Sequence, residues 1–199
     1  MARFVSADGE PTERPAIVPV LSWANPPAGC LPDRPNDCLS APNQKAGCLA
    51  SPWRPGATGL NAARFQGALA GIEASFRDLF AFRDRYAPGV PIFAHNYDFA
   101  IPNGAHPACA GPWLKPSLDY CGWNVQQGTL IVRQALTDFS SMLTGLAAPT
   151  ANNNFTLVNT QGTLQPDDWA NELHPYPNGF KSLAAHFVQT LRAPFPGRI

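Results

Sequence analysis

The sequence predicts an α/β fold in which a short parallel sheet is sandwiched between helices. Three observations predict it. Strand-like and helix-like segments alternate along the chain, two long segments repeat apolar residues at spacings of four and three, and Val90-Pro91-Ile92-Phe93-Ala94 is a continuous apolar run. Alternation of this kind implies crossover connections and parallel strands, and an unbroken apolar run suits a strand covered on both faces.

The first strand is expected over Ala16–Ser22, short, apolar and β-branched, with Pro19 unable to donate a ladder hydrogen bond. Residues 25–57 then hold seven prolines and three cysteines without periodicity, which predicts a long ordered loop. From Leu60 to Tyr86, Phe65, Leu69, Ile72, Phe76 and Leu79 form one stripe of a helix that ends at Pro88-Gly89. The apolar run 90–94 is the central strand and closes on the polar cluster His95-Asn96-Tyr97-Asp98. Residues 101–123 read as a second Pro- and Cys-rich loop. Val132, Leu136, Phe139, Leu143 and Leu146 predict the second helix, and Asn154–Thr160 the third strand. After a loop over 161–177, Asn178 is expected to cap a last helix whose Phe180, Leu183, Phe187 and Leu191 share a face. In a sheet of this kind the ligand crevice lies at the carboxyl ends of the strands, so the loops after Ser22, Tyr97 and Thr160 should gather on one edge.

Composition narrows the function. The 199 residues suit one domain, and 14 basic against 14 acidic residues leave no excess charge to neutralise phosphates, so nucleic acid is excluded as a partner. No apolar run reaches the roughly 18–20 residues of a membrane-spanning helix, so no integral membrane contact is expected. The first twenty residues carry Arg3, Asp8, Glu10, Glu13 and Arg14 and do not read as a secretory signal. Cys30, Cys38, Cys48, Cys109 and Cys121 show no C-x-x-C spacing, so no metal site is called for. Disulfides Cys38–Cys48 and Cys109–Cys121 would each close a short loop and point to an oxidising, extracellular or periplasmic compartment. The alternative is five reduced thiols.

The chemistry concentrates in Asp167-Asp168-Trp169-Ala170-Asn171-Glu172-Leu173-His174-Pro175. His174 is the catalytic candidate, because imidazole can take a proton from a hydroxyl and return it near neutrality, and Pro175 and Pro177 stiffen its backbone. The bland reading is a helix-start histidine satisfied by backbone. Asp167 and Asp168 are either solvated loop acids or partners of His174. His95 and Asp98 are expected to make loop hydrogen bonds and to line the crevice with Asn96 and Tyr97. His106 and His186 read as surface residues. Trp113, Trp123 and Trp169 could stack on a substrate or serve as satellite core.

The run Trp169–Pro175 with Asn178-Gly179-Phe180 and Leu183-Ala184 resembles the carboxyl-terminal block of the SGNH, or GDSL-like, hydrolases. Phe93–Pro102 with Gly111-Pro112-Trp113-Leu114 resembles the preceding strand and loop of one bacterial branch. The resemblance spans roughly Val90 to Arg192. It implies a flavodoxin-like three-layer α/β/α domain and a serine esterase or lipase acting on small-molecule, lipid or carbohydrate esters without a cofactor, His174 being the base. The family's acid stands three residues before that histidine, where this chain has Asn171, and Asp168 is the nearby substitute. Its oxyanion block has a counterpart in Leu21-Ser22-Trp23-Ala24-Asn25, with Asn25 as donor. No Gly-Asp-Ser nucleophile block occurs in the chain. The resemblance then leaves three accounts: an amino-terminally truncated domain, a chain that borrows its serine from elsewhere, or a non-catalytic relative binding carbohydrate or a partner.

Overall fold

The computed structural model describes residues 4–5, 11–12, 59–105, 112–151 and 153–198. In chain order these form β1 (Phe4–Val5), β2 (Pro11–Thr12), α1 (Ala62–Tyr86), β3 (Ile92–His95), α2 (Lys115–Tyr120), α3 (Val125–Ala147), β4 (Phe155–Val158) and α4 (Pro177–Arg192). Single 3₁₀ turns occupy Pro149–Ala151 and Pro166–Asp168. The expected strand over 16–22 and the loop over 25–57 lie outside the described residues.

β3 and β4 pair in parallel, with Ile92 opposite Phe155, Phe93 opposite Thr156, Ala94 opposite Leu157 and His95 opposite Val158. Side chains alternate across a strand, so this register sorts them onto two faces. Ile92, Ala94 and Phe155 enter a core with Leu69, Phe76 and Phe80 of α1 and Phe139, Leu143 and Leu146 of α3. Phe93 and Val158 face the other way, onto Leu191 and Phe187 of α4. Both strands are therefore covered on both sides, as the unbroken apolar run of β3 requires. The architecture is a small mixed α/β fold around a parallel pair. β1 and β2 form a separate antiparallel pair. Among the described residues no helix is long and apolar enough to cross a membrane.

The helices follow the apolar stripes, with four departures. α1 starts where the Asn61 side chain accepts from the Arg64 N–H at 3.2 Å and ends before Gly89, whose φ of +80° a side chain would disfavour. α3 begins seven residues before its first stripe residue, Val132, at a capping box formed by Asn124 and Gln127. The box satisfies backbone donors with polar side chains and is invisible to hydrophobic spacing. The loop over 101–123 contains α2, packed so closely on α3 that a Cβ on Gly128 would sit 2.6 Å from a Leu118 methyl. Asn178 does not cap α4; Tyr176 holds that position without a side-chain bond and Pro177 occupies the first helical residue. Phe180, expected in the buried stripe of α4, is 52% exposed.

The amino ends of β3 and β4 are locked by a side chain that periodicity does not single out. Arg83, near the end of α1, is 6% exposed. Its Nη1 donates to the carbonyls of Val90 (3.0 Å) and Asn154 (3.3 Å), and its Nη2 to that of Asn153 (2.8 Å). A planar guanidinium can reach three carbonyls on two segments in a fixed fork; an ammonium cannot. Arg83→Lys is expected to lower stability by about 2–3 kcal/mol, the cost of stranding buried acceptors of a charged donor. An unchanged urea midpoint would show that the fork contributes nothing.

Candidate functional site

The carboxyl ends of β3 and β4 are tied together by side chains acting as backbone partners. Asn96 is buried, and its Nδ2 donates to Ser140 Oγ (2.9 Å) and Asn159 Oδ1 (2.8 Å) while its Oδ1 accepts the Thr160 N–H (2.8 Å). Asp98, also buried, accepts the N–H groups of Phe99 (2.7 Å), Gly162 (2.6 Å) and Leu164 (2.6 Å). Strand ends leave such donors unpaired, and carboxylate and amide oxygens satisfy them away from water. The loop after β4 is thereby fastened to the loop after β3.

On this base stands the turn 169–175. It closes on itself through the His174 carbonyl, which accepts the N–H groups of Ala170 (2.9 Å) and Asn171 (3.2 Å), and through an antiparallel bridge between Trp169 and Pro175. Asn171 is buried, and its Oδ1 accepts the Leu173 N–H (2.9 Å), the His174 N–H (2.8 Å) and a bond from His174 Nδ1 at 3.1 Å. An amide oxygen only accepts, so Nδ1 carries the ring proton and Nε2 holds the lone pair. His174 is exposed, and its Nε2 bonds no described residue. Trp113 stands edge-on to the ring with centroids 5.5 Å apart. The imidazole is held at one nitrogen and available at the other, the tautomer a general base requires.

Two side chains beside His174 do their work below the surface. Glu172 is fully buried, and its carboxylate accepts four backbone N–H groups, from Gly104 (3.0 Å), Trp113 (2.5 Å), Leu114 (2.7 Å) and Lys115 (2.9 Å). It caps α2 and binds the loop that carries Trp113 to the turn that carries His174. Leu173 is buried with Leu118, Ile131, Val132 and Leu136, so the turn is anchored on α2 and α3. Neither role is legible in the local sequence, because the four donors lie 57 to 68 residues away.

The remaining expected site residues separate into three groups. Asn96 and Tyr97, expected to line the crevice, are buried and belong to its scaffold; Tyr97 Oη donates to the Leu173 carbonyl and its ring packs on Trp169, centroids 6.5 Å apart. His95 is half-buried, stacks on Tyr97 and meets Phe187 edge-on, and its Nδ1 lies 3.2 Å from Thr160 Oγ1 and accepts the Tyr97 N–H at 3.3 Å. Asp168 is not a partner of His174; its carboxylate accepts the Gln165 N–H at 2.9 Å and caps the 3₁₀ turn, while Asp167 is exposed. His186, expected at the surface, is half-buried with Nε2 3.0 Å from Thr163 Oγ1. Asn25, His106, Ser6, Ser22 and Cys30, Cys38, Cys48 and Cys109 lie outside the described residues. Cys121 is buried, has no disulfide partner among the described residues, and burial pushes its thiol pKa up.

Among the described residues no three of His, Cys, Asp and Glu gather to hold a metal ion. An open groove of about 520 Å³ runs between α1 and α3, lined among others by Leu69, Glu73, Arg77, Asp138 and Met142, and no histidine or cysteine among the described residues borders it. Chemistry therefore selects the His174 edge over this groove. No family model matches the chain, and no curated protein or solved structure matches it.

Burial lowers the pKa of His95 below its ordinary 6.5, so the unfolded chain binds a proton more readily than the folded one. Its contribution to stability is complete above about 6.5 and declines as pH falls from there towards the folded value. The Tm of the native chain should thus drop more steeply below about pH 6.5 than that of His95→Gln; parallel curves would remove His95 from the pH dependence. Glu172→Gln replaces one carboxylate oxygen by an NH2 that faces two of the four N–H groups and should cost about 3–5 kcal/mol, with faster hydrogen exchange at residues 104 and 113–115. Native-like exchange there would refute the clasp.

Proposed function

We propose that this chain is a carboxylic ester hydrolase of the SGNH type, in which His174 moves the proton. The observation that carries the reading is the Asn171 Oδ1 to His174 Nδ1 bond of 3.1 Å, three residues apart, which leaves Nε2 exposed beside the carboxyl ends of a parallel pair. In the proposed reaction a serine hydroxyl loses its proton to Nε2 as its oxygen attacks the ester carbonyl. The same proton passes to the departing alcohol as the acyl–oxygen bond breaks, and water then releases the acid by the same route. Trp113, edge-on to the imidazole, would flank the ester as it approaches. A flavodoxin-like sandwich extends the arrangement in which α1 and α3 cover one face of β3 and β4 and α4 the other. The serine is not assigned: the chain has no Gly-Asp-Ser.

Asn171 favours a second reading. A carboxylate beside Nδ1 stabilises the imidazolium formed in the reaction by charge, and an amide can only orient the ring. A non-catalytic relative that keeps the crevice to bind carbohydrate or a partner would tolerate that exchange.

Turnover of a short-chain aryl ester separates the two. His174→Ala should bring the rate to the uncatalysed level, and a serine-directed fluorophosphonate should label the native chain. Every described bond to the Asn171 side chain ends on Oδ1, so Asp can replace it without losing one, and Asn171→Asp should raise kcat by about tenfold or more. Absence of a covalent adduct, together with equal rates for the native chain and His174→Ala, would leave the binding reading alone standing.

A further inference from the structure

The turn 169–175 is closed mainly by its own bonds, so its inner geometry does not determine where it points. The peptide between Leu173 and His174 donates its N–H to Asn171 Oδ1 at 2.8 Å and its carbonyl accepts from Tyr97, so the orientation of that peptide governs how the ring meets Asn171. Among the described residues, the turn is fixed to the rest of the molecule by the buried Leu173 side chain, by the Glu172 carboxylate and N–H on the 104–115 segment, by the ring contacts of Trp169 and His174, and by the Leu173 carbonyl, which accepts the Tyr97 phenol. Of these, only Tyr97 comes from the exit of β3, the element that defines the crevice edge.

Tyr97 is held for this purpose at a conformational cost. Its φ is +60°, a left-handed conformation that an aromatic residue adopts rarely. Its N–H donates to His95 Nδ1 at 3.3 Å, and its ring lies between His95, stacked at 5.8 Å, and Trp169, tilted at 6.5 Å. The residue is buried, 7% exposed, and its phenol is spent on the Leu173 carbonyl. Burial also pushes its pKa up, which keeps the hydroxyl a donor throughout the ordinary pH range. Strained backbone persists where its surroundings over-determine it, and here the surroundings aim one hydroxyl at the carbonyl that precedes His174.

We infer that Tyr97 is a positioning residue for His174, setting the orientation of the imidazole through the hydrogen bond from its phenol to the Leu173 carbonyl. The inference rests on His174 being the proton-transfer group, and Tyr97 itself touches no substrate. Losing the hydroxyl strands a buried carbonyl and frees the Leu173–His174 peptide to turn, which lengthens the Asn171 bond that sets the tautomer. Displacements of an ångström are enough to lower a chemical step strongly while leaving ground-state binding alone.

The test uses the full chain, labelled with nitrogen-15 at histidine, and compares Tyr97→Phe with Tyr86→Phe, which alters an exposed tyrosine of α1. Long-range proton–nitrogen spectra report which ring nitrogen of His174 is protonated. Tyr97→Phe should reduce the share protonated at Nδ1 and lower kcat for the aryl ester about tenfold with KM unchanged, and Tyr86→Phe should do neither. A change of tautomer in a chain without esterase turnover would uphold the inference while the proposed function falls. An unchanged His174 spectrum in folded Tyr97→Phe would overturn it whatever the turnover. Should Tyr97→Phe not melt cooperatively, 4-aminophenylalanine at position 97 keeps a weaker donor there; a partial shift would then support the inference and an unchanged spectrum would overturn it.

Discussion

A parallel pair of four-residue strands cannot satisfy the backbone groups at its own ends, and most of this structure follows from that constraint. Each strand runs out after four residues, and the segments that continue them must bend away with N–H and C=O groups still buried. At the amino ends the answer is cationic: the Arg83 guanidinium donates to three carbonyls. At the carboxyl ends the answer is made of acceptors, as the Asn96 and Asp98 oxygens receive backbone N–H groups from the loop after β4, up to 66 residues distant. The division follows which group each end leaves open. Acceptors need a donor-rich side chain, and donors need oxygen.

The same constraint builds the candidate site. The turn holding His174 is not part of the sheet, and it is steady because its neighbours are pinned. Leu173 is sunk in the α2–α3 core and Glu172 is consumed by four donors, so the residue between Leu173 and Pro175 has little backbone freedom left. The exposed imidazole is the outermost group of a stack whose lower members are buried. Pre-organisation of this kind lets a single loop residue act as a base, since proton transfer tolerates little displacement. It equally suits a rigid recognition surface, so Asn171, neutral where a carboxylate would add charge, is the residue on which catalysis and binding diverge.

What could be read locally and what could not divide along physical lines. The helices over 62–86 and 125–147 were legible because burying one face imposes a period on apolar residues, as Phe76, Leu136 and Leu143 show, and β3 was legible because burial of both faces leaves an unbroken apolar run. The start of α3 at Asn124 and the whole of α2 were missed, since a capping box and a six-residue helix carry no such period. Pairing Asn171 with His174 was open to sequence reasoning because the two are three residues apart. That Asn96 and Tyr97 are buried and spent on neighbouring segments was not legible, because polar side chains look alike in a sequence whether they face water or satisfy a distant backbone.

The amino-acid order alone thus determined the alternation of elements, the doubly covered character of β3 and the spacing that sets an acceptor beside Nδ1 of His174, all properties carried within a few turns of chain. Tertiary structure decided which polar groups are spent and which are free. It buried Asn96, Tyr97, Asp98 and Glu172 and left Nε2 of His174 without a bond to any described residue, because hydrogen bonds to segments some sixty residues away depend on where the folded chain brings its ends together.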